Sequence, residues 1–130
     1  MQLLASSLAL LIMAPVIALA QGTLPARSQD LPDPIEAGWQ GQPVCELLQA
    51  SADIRIFRCV FPPGVGHERH FHAGHFGYAL SGGTMRITDA SGTREARLTT
   101  GSHFSSEGIE WHEVLNIGDT EVSYLMIEPL

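Results

Sequence analysis

The sequence predicts an all-β domain of antiparallel strands, a sandwich or a barrel, over residues 44–130. Within short runs rich in Val, Ile, Leu and Phe, apolar and polar residues alternate with the two-residue period of a half-buried strand. Turn residues separate these runs at regular intervals, and no run in this region has a convincing helical period. Eight or nine short strands with this spacing are typical of β-sandwich and β-barrel folds.

The predicted strands follow one another through recognisable turns. VCELL and IRIFRCVF are separated by QASAD, as in a hairpin, and the histidine-rich stretch GHERHFH comes next. The runs after it are GYALS, TMRIT, REARLTT, HFSS, EWHEVLN and EVSYLMIE. Their connections carry the turn signals Ser81-Gly82-Gly83, Asp89-Ala90-Ser91-Gly92, Gly101 and Asn116-Ile117-Gly118-Asp119.

The first hairpin predicts a disulfide between Cys45 and Cys59, the only two cysteines. If the two strands pair about a centre at Ala52, these residues lie directly opposite each other, at a distance that a bridge can span. A register shift of one residue would place them on opposite faces and forbid the bridge. The prediction therefore depends on the register.

Residues 1–20 are apolar and end in Ala18-Leu19-Ala20, which is typical of a secretory signal cleaved after Ala20. The leader lacks an initial basic residue, and an uncleaved membrane anchor is the alternative because about 18 apolar residues is near the minimum for a span. Gln21 instead of a cysteine argues against a lipoprotein. We predict that the protein is exported, either to a periplasm or outside the cell, and no longer holds a membrane segment after cleavage.

Residues 21–43 are rich in Pro, Gly, Gln and Asp and predict an extended N-terminal arm without its own core, anchored on the domain by Trp39. Residues 44–130 are long enough for one modest core. The net charge is −7, the seven basic residues are all Arg, and all charges follow the leader. This acidic surface without a basic patch argues against nucleic acid or anionic lipid as a partner. A homodimer is a further possibility.

The histidines are concentrated in one place, because four of the six lie within residues 67–75. His70 and His72 are two residues apart, so their imidazoles share one face of a strand. Ala73-Gly74 permits a tight bend, after which His75 can return beside the pair. With His112 from a distant strand, these residues predict a transition-metal site, although a surface loop with adventitious metal affinity is the simpler alternative.

With these residues in place, the sequence resembles the cupin family. Gly64, His70, His72 and Gly82 match the first cupin motif, in which His75 takes the position usually held by glutamate. The matches to the second motif are Gly101, His112 and Asn116. The resemblance implies a double-stranded β-helix, the jelly-roll barrel of antiparallel strands, over residues 44–130.

The same resemblance implies that His70, His72, His75 and His112 bind one divalent metal, whereas Asn116 is a turn residue. Four neutral imidazoles leave the ion its full charge and suit Fe, Zn, Ni or Cu better than Mn. Their second N–H groups need acceptors, for which Glu68, Ser105 and Glu113 are candidates. Of the other histidines, His67 is expected to be solvated in a glycine-rich turn, and His103 is a candidate to face the barrel.

Three functions compete at this point. The first is a metal-dependent enzyme, an oxygenase or other oxidoreductase acting on a small organic molecule, by analogy with cupin dioxygenases that use three-histidine iron sites. The second is a non-catalytic module that binds a metal or a small ligand. The third is a structural cupin with histidines at the barrel mouth, which the ligand spacing disfavours.

Overall fold

The computed structural model describes residues 30–130, which form eleven β-strands and no α-helix. The strands are β1 (Gly38–Trp39), β2 (Gln42–Pro43), β3 (Cys45–Ala50), β4 (Ile54–Phe61), β5 (Gly66–His72), β6 (His75–Ser81), β7 (Gly83–Asp89), β8 (Gly92–Leu98), β9 (His103–Ser106), β10 (Ile109–Asn116) and β11 (Val122–Pro129). The predicted all-β class is confirmed. The predicted leader and residues 21–29 lie outside the described residues. Within residues 30–130, no helix has the length and apolarity needed to cross a membrane.

Two antiparallel sheets enclose the core. One has the order β5-β10-β7-β8, the other has the order β3-β4-β11-β6-β9, and β1 and β2 form a separate small hairpin. Strands that are distant in sequence become neighbours, since β10 lies between β5 and β7 and β11 lies between β4 and β6. This jelly-roll arrangement confirms the predicted fold and brings the second-motif strand β10 against the histidine-rich strand β5.

Alternation along the strands of the five-stranded sheet builds the core. Phe57, Cys59 and Phe61 are fully buried on β4, opposite Met126 and Val122 among the buried residues of β11. Met85 and Val114 of the other sheet belong to the same buried cluster. Each of these strands presents every second side chain to the interior, as the period of two in the sequence predicts.

The predicted hairpin register is confirmed. β3 pairs antiparallel with β4, Cys45 lies opposite Cys59, and the two residues form a disulfide. Both cysteines belong to the buried core cluster.

The N-terminal arm lies against β5 over its described part. The Trp39 ring occupies the space in which a Cβ on Gly66 would stand, only 2.6 Å from that position, so this glycine allows the close approach. The backbone N–H of Phe71 donates to the carbonyl oxygen of Pro32 at 3.3 Å, and the N–H of Gln40 donates to the Glu68 carboxylate at 2.9 Å. Trp39 therefore anchors the arm as predicted.

Candidate metal centre

Three histidines on two neighbouring strands converge in the interior. His70 and His72 of β5 are buried and share one face, as predicted. His112 of β10 is the direct register partner of His70. The Nε2 atom of His70 lies 3.0 Å from Nε2 of His72 and 3.0 Å from Nε2 of His112. These three residues form a group whose candidate ligand atoms all lie within 4.8 Å of one another.

The acceptors that face Nδ1 of His70 and His72 determine the tautomers of these two rings. Nδ1 of His70 donates to the carbonyl oxygen of Glu68 at 2.6 Å, and Nδ1 of His72 faces the Glu128 carboxylate at 3.5 Å. With protons on Nδ1, both Nε2 atoms present lone pairs to each other across 3.0 Å. Two lone pairs so close repel unless a cation lies between them.

The donor set fits a transition metal, and so do two of its spacings. Imidazole nitrogens bind such ions at about 2.1 Å, and two ligands at a right angle are then about 3.0 Å apart, which is the separation of the His70–His72 and His70–His112 Nε2 pairs. The desolvation of buried rings, together with neighbouring imidazoles, lowers the pKa of His70 to about 2 and that of His112 to about 3. Both rings are therefore neutral at pH 7, which is the form that binds metals.

The carboxylate that supports the site is Glu128, which sequence reasoning missed. Its Oε1 atom faces Nδ1 of His72 at 3.5 Å, and its Oε2 accepts hydrogen bonds from Arg55 at 3.0 and 2.5 Å. Burial opposes ionisation of Glu128, yet the contacts with His72 and Arg55 lower its pKa, so that it is charged. Arg55 in turn donates to Asp33 of the arm at 2.7 Å. A chain of four side chains thus runs from the arm to His72, one of the three candidate metal ligands.

Of the three candidate acceptors Glu68, Ser105 and Glu113, only Glu68 is found on one of the three histidines. It accepts from His70 through its backbone carbonyl, while its carboxylate binds the arm. Glu113 faces Arg69, with a nitrogen–oxygen distance of 3.9 Å, and Ser105 is exposed on β9. A signal for Glu128 was present, because period two along EVSYLMIE places it on the same face as the buried Met126.

We expect Glu128→Gln to lower metal affinity about 10- to 100-fold, because the amide cannot hold His72 Nδ1–H and the Arg55 guanidinium as a charged acceptor does. Competition with a chromophoric chelator measures the change. The matched control is Glu46→Gln, which removes an exposed ion pair with Arg58 on the same sheet. Equal affinities for the two variants would show that Glu128 does not support the site.

His75 lies beside this group without joining it. Its ring centroid is 4.7 Å from that of His72, and its Nδ1 donates to the carbonyl oxygen of Ala73 at 2.8 Å. Nε2 of His75 is buried, and among residues 30–130 it has no hydrogen-bond partner. His75 offers a lone pair next to the three-histidine group, and its role as fourth ligand stays a prediction.

The expectation for His67 is wrong, because the side chain is only 1% exposed. His112 pairs with His70 and Val114 pairs with His67, so an advance of two residues along β10 corresponds to three residues along β5. This bulge adds one residue to β5 and turns His67 from the outer face to the interior. The ring then stacks on His70 with centroids 3.7 Å apart and contacts the Ala37 carbonyl oxygen at 3.2 Å.

Two other predicted residues have clear places. His103 is exposed on β9, where it stacks on Phe76 with ring centroids 5.7 Å apart, so it does not face the barrel interior. Asn116 is confirmed as a turn residue, since its amide donates to the carbonyl oxygens of Phe61 and Thr120 at 2.8 and 2.7 Å.

A cavity of about 460 Å³ adjoins two of the three converging histidines. His72, His75 and His112 line it, together with mostly apolar side chains from both sheets. Phe104, which is 43% exposed, and Arg94, whose side chain is 53% exposed, mark where the cavity reaches solvent. A metal held by the three histidines would therefore face a space of the size that small-molecule sites have.

Comparison with known proteins agrees with this fold. The family model described as a cupin domain matches residues 57–128. A cupin domain from Bordetella pertussis Tohama I superposes with a TM-score of 0.63 at 22% identity, over 67% of this chain and 92% of the other. The polyketide cyclase RemF from Streptomyces resistomycificus has a TM-score of 0.55 at 16% identity, over 91% and 80%. None of the curated proteins matches this chain significantly.

Proposed function

Because this chain belongs to the cupin superfamily, we propose that it is a metal-dependent enzyme, an oxygenase or other oxidoreductase that acts on a small organic molecule inside the barrel. His70, His72 and His112 hold one divalent ion, with Fe, Zn, Ni or Cu preferred over Mn because all three donors are imidazoles. The polyketide cyclase among the structural neighbours supports a small-molecule substrate, by analogy of fold only.

One observation carries this proposal: two of the three converging histidines also line the cavity of about 460 Å³. Catalytic metal sites use three protein ligands and leave a position open, whereas structural sites are closed. A metal held by His70, His72 and His112 would supply a Lewis-acidic centre next to this cavity. The chain's own residues orient the site through Glu128 and Arg55, and apolar walls limit the water that surrounds a ligand.

Oxygen consumption tests the enzyme proposal. Protein loaded with Fe(II) is mixed with a panel of small organic molecules, and dioxygen is followed with an electrode. We expect at least one compound to cause consumption that is absent in His112→Ala treated in the same way. Compounds that bind the loaded protein without any consumption would favour the non-catalytic binding module instead.

The binding module is supported by His75. Its buried Nε2 has no partner among residues 30–130 and lies next to His72, so a small shift would give the ion a fourth protein ligand and close the site. A closed site of four ligands holds a metal without leaving room for a substrate.

We expect His75→Glu to decide between three and four ligands. If His75 binds the ion, the glutamate variant retains a metal and shifts its preference toward Mn, because a carboxylate suits harder ions. Elemental analysis after loading with equal Mn and Zn measures the shift. His103→Glu, on the exposed β9 strand, is the control; an unchanged Mn-to-Zn ratio in both variants would exclude His75 as a ligand.

We further propose that the protein works in an exported compartment. The apolar leader ending in Ala18-Leu19-Ala20 supports this proposal, as does the Cys45–Cys59 disulfide, since disulfides persist where conditions are oxidising. Mass spectrometry of secreted or periplasmic material is expected to find Gln21 at the N-terminus, cyclised or not. Intact Met1 in a membrane fraction would establish the anchor instead.

A further inference from the structure

We infer that the ligand of this cavity carries its metal-binding atoms at one end and an apolar, ring-sized body at the other, without a second charged group. This inference rests on the proposed function, because it names the ligand class of the same site. It excludes longer dicarboxylates, whose distal end is charged.

The cavity is large enough to hold an apolar, ring-sized body next to the metal-binding atoms of the ligand. About 460 Å³ corresponds to roughly fifteen water molecules at about 30 Å³ each. A ligand that consisted only of a chelating group would leave most of this space to water in contact with apolar walls. A phenyl-sized body next to the chelating group displaces that water and gains the free energy of burying apolar surface.

Apart from Ser106, Tyr124 and the Asp89–Arg94 pair, the walls away from the histidines are apolar. Side chains from both sheets form them, among which are Met85, Ile87, Leu98, Phe104, Val114 and Met126. Met85 and Val114 are buried on one sheet, Met126 is buried on the other, and Phe104 stands at the exposed end. A charged group placed among these side chains would lose its hydration without gaining a partner.

The charges at the solvent end neutralise each other. Among the described lining residues, Arg94 is the one Lys or Arg side chain, and its guanidinium donates to the Asp89 carboxylate at 2.5 Å. Asp89 also accepts hydrogen bonds from the N–H and the hydroxyl of Ser91. A distal carboxylate would meet a guanidinium whose charge Asp89 already balances, whereas a neutral ring needs no charged partner at this end.

Two 2-oxo acids with the same chelating end test this inference by calorimetry on Zn-loaded protein. Phenylpyruvate has a phenyl body, and 2-oxoglutarate has a distal carboxylate. We expect phenylpyruvate to bind at least tenfold more tightly. Equal affinity, or tighter binding of 2-oxoglutarate, would overturn the inference, and this comparison uses the wild-type protein alone.

A neutral aromatic dye, N-phenyl-1-naphthylamine, tests the cavity in metal-free protein. We expect its fluorescence to rise on binding, and Ala96→Phe to lower its affinity at least tenfold, because Ala96 lines the cavity opposite Met85. Glu95→Phe is the control, since the adjacent Glu95 side chain is exposed on the other face of β8. Circular dichroism establishes that both variants fold.

The two tests separate this inference from the proposed function. If the protein binds the dye but retains no metal, the apolar ligand class is supported and the proposal of a metal-dependent enzyme is excluded. A second outcome is a protein that binds metal but excludes the dye, or an Ala96→Phe variant that binds the dye as tightly as the wild type does. Either result would overturn the ligand class without affecting the metal site.

Discussion

Replacing His70, His72 or His112 with alanine is expected to remove nearly all bound metal, with affinity at least about 100-fold lower. Removing a group that hydrogen-bonds to a metal ligand already lowers metal affinity about 10- to 100-fold, and removing the ligand itself lowers it more. Nε2 of His70 lies 3.0 Å from Nε2 of His72 and 3.0 Å from Nε2 of His112, so each single change leaves only two of the three imidazoles. Elemental analysis after dialysis against a mild chelator gives metal per protein chain.

His103→Ala is the matched control, because this imidazole is exposed on β9 and stacks on Phe76. It should retain the wild-type metal content. The sequence alone would favour His67→Ala as the neutral control, but His67 is buried against the ring of His70, and its loss would open a gap behind that ligand. Wild-type metal content in all three ligand variants would show that the site assignment is wrong.

Removal of the Cys45–Cys59 disulfide is expected to lower the free energy of unfolding by about 3 kcal/mol, the chain-entropy value for a loop of about 15 residues. The two cysteines lie opposite each other in the β3–β4 hairpin and belong to the buried core cluster. Urea unfolding with and without reductant measures the change, and intact mass should rise by two hydrogens on reduction.

The double variant Cys45→Ala/Cys59→Ala provides the control for this second prediction. Its unfolding midpoint should lie well below that of the oxidised protein and should not respond to reductant. A wild-type protein whose mass and midpoint are both insensitive to reductant would contradict the bridge, and with it one support for an exported compartment.

Much of the site could be predicted because it depends on strand periodicity. The two-residue spacing of His70 and His72 fixes their common face, and a hairpin centred at Ala52 fixes the cysteine pair. His67 escaped prediction because a single bulge between it and His70 reverses its face. Bulges arise from strand pairing, so the spacing of side chains along one strand does not reveal them.

Glu128 was missed for a different reason. It lies at the far end of the chain from the histidines, and only the placement of β11 beside β4 brings it to Arg55 and His72. The arm was predicted to lack a core of its own, but its contribution to the site was not predicted. Asp33 binds Arg55, which holds Glu128, and the Ala37 carbonyl contacts His67, so the described arm supports two of the residues behind the candidate metal ligands.

Anomalous diffraction from a metal-loaded crystal, measured at the absorption edge of the ion, locates the metal and so tests the three-histidine site. A metal bound by the three histidines gives a single strong peak about 2.1 Å from Nε2 of His70, His72 and His112. A strong peak elsewhere, or no peak at these three nitrogens in protein saturated with the ion, would contradict it.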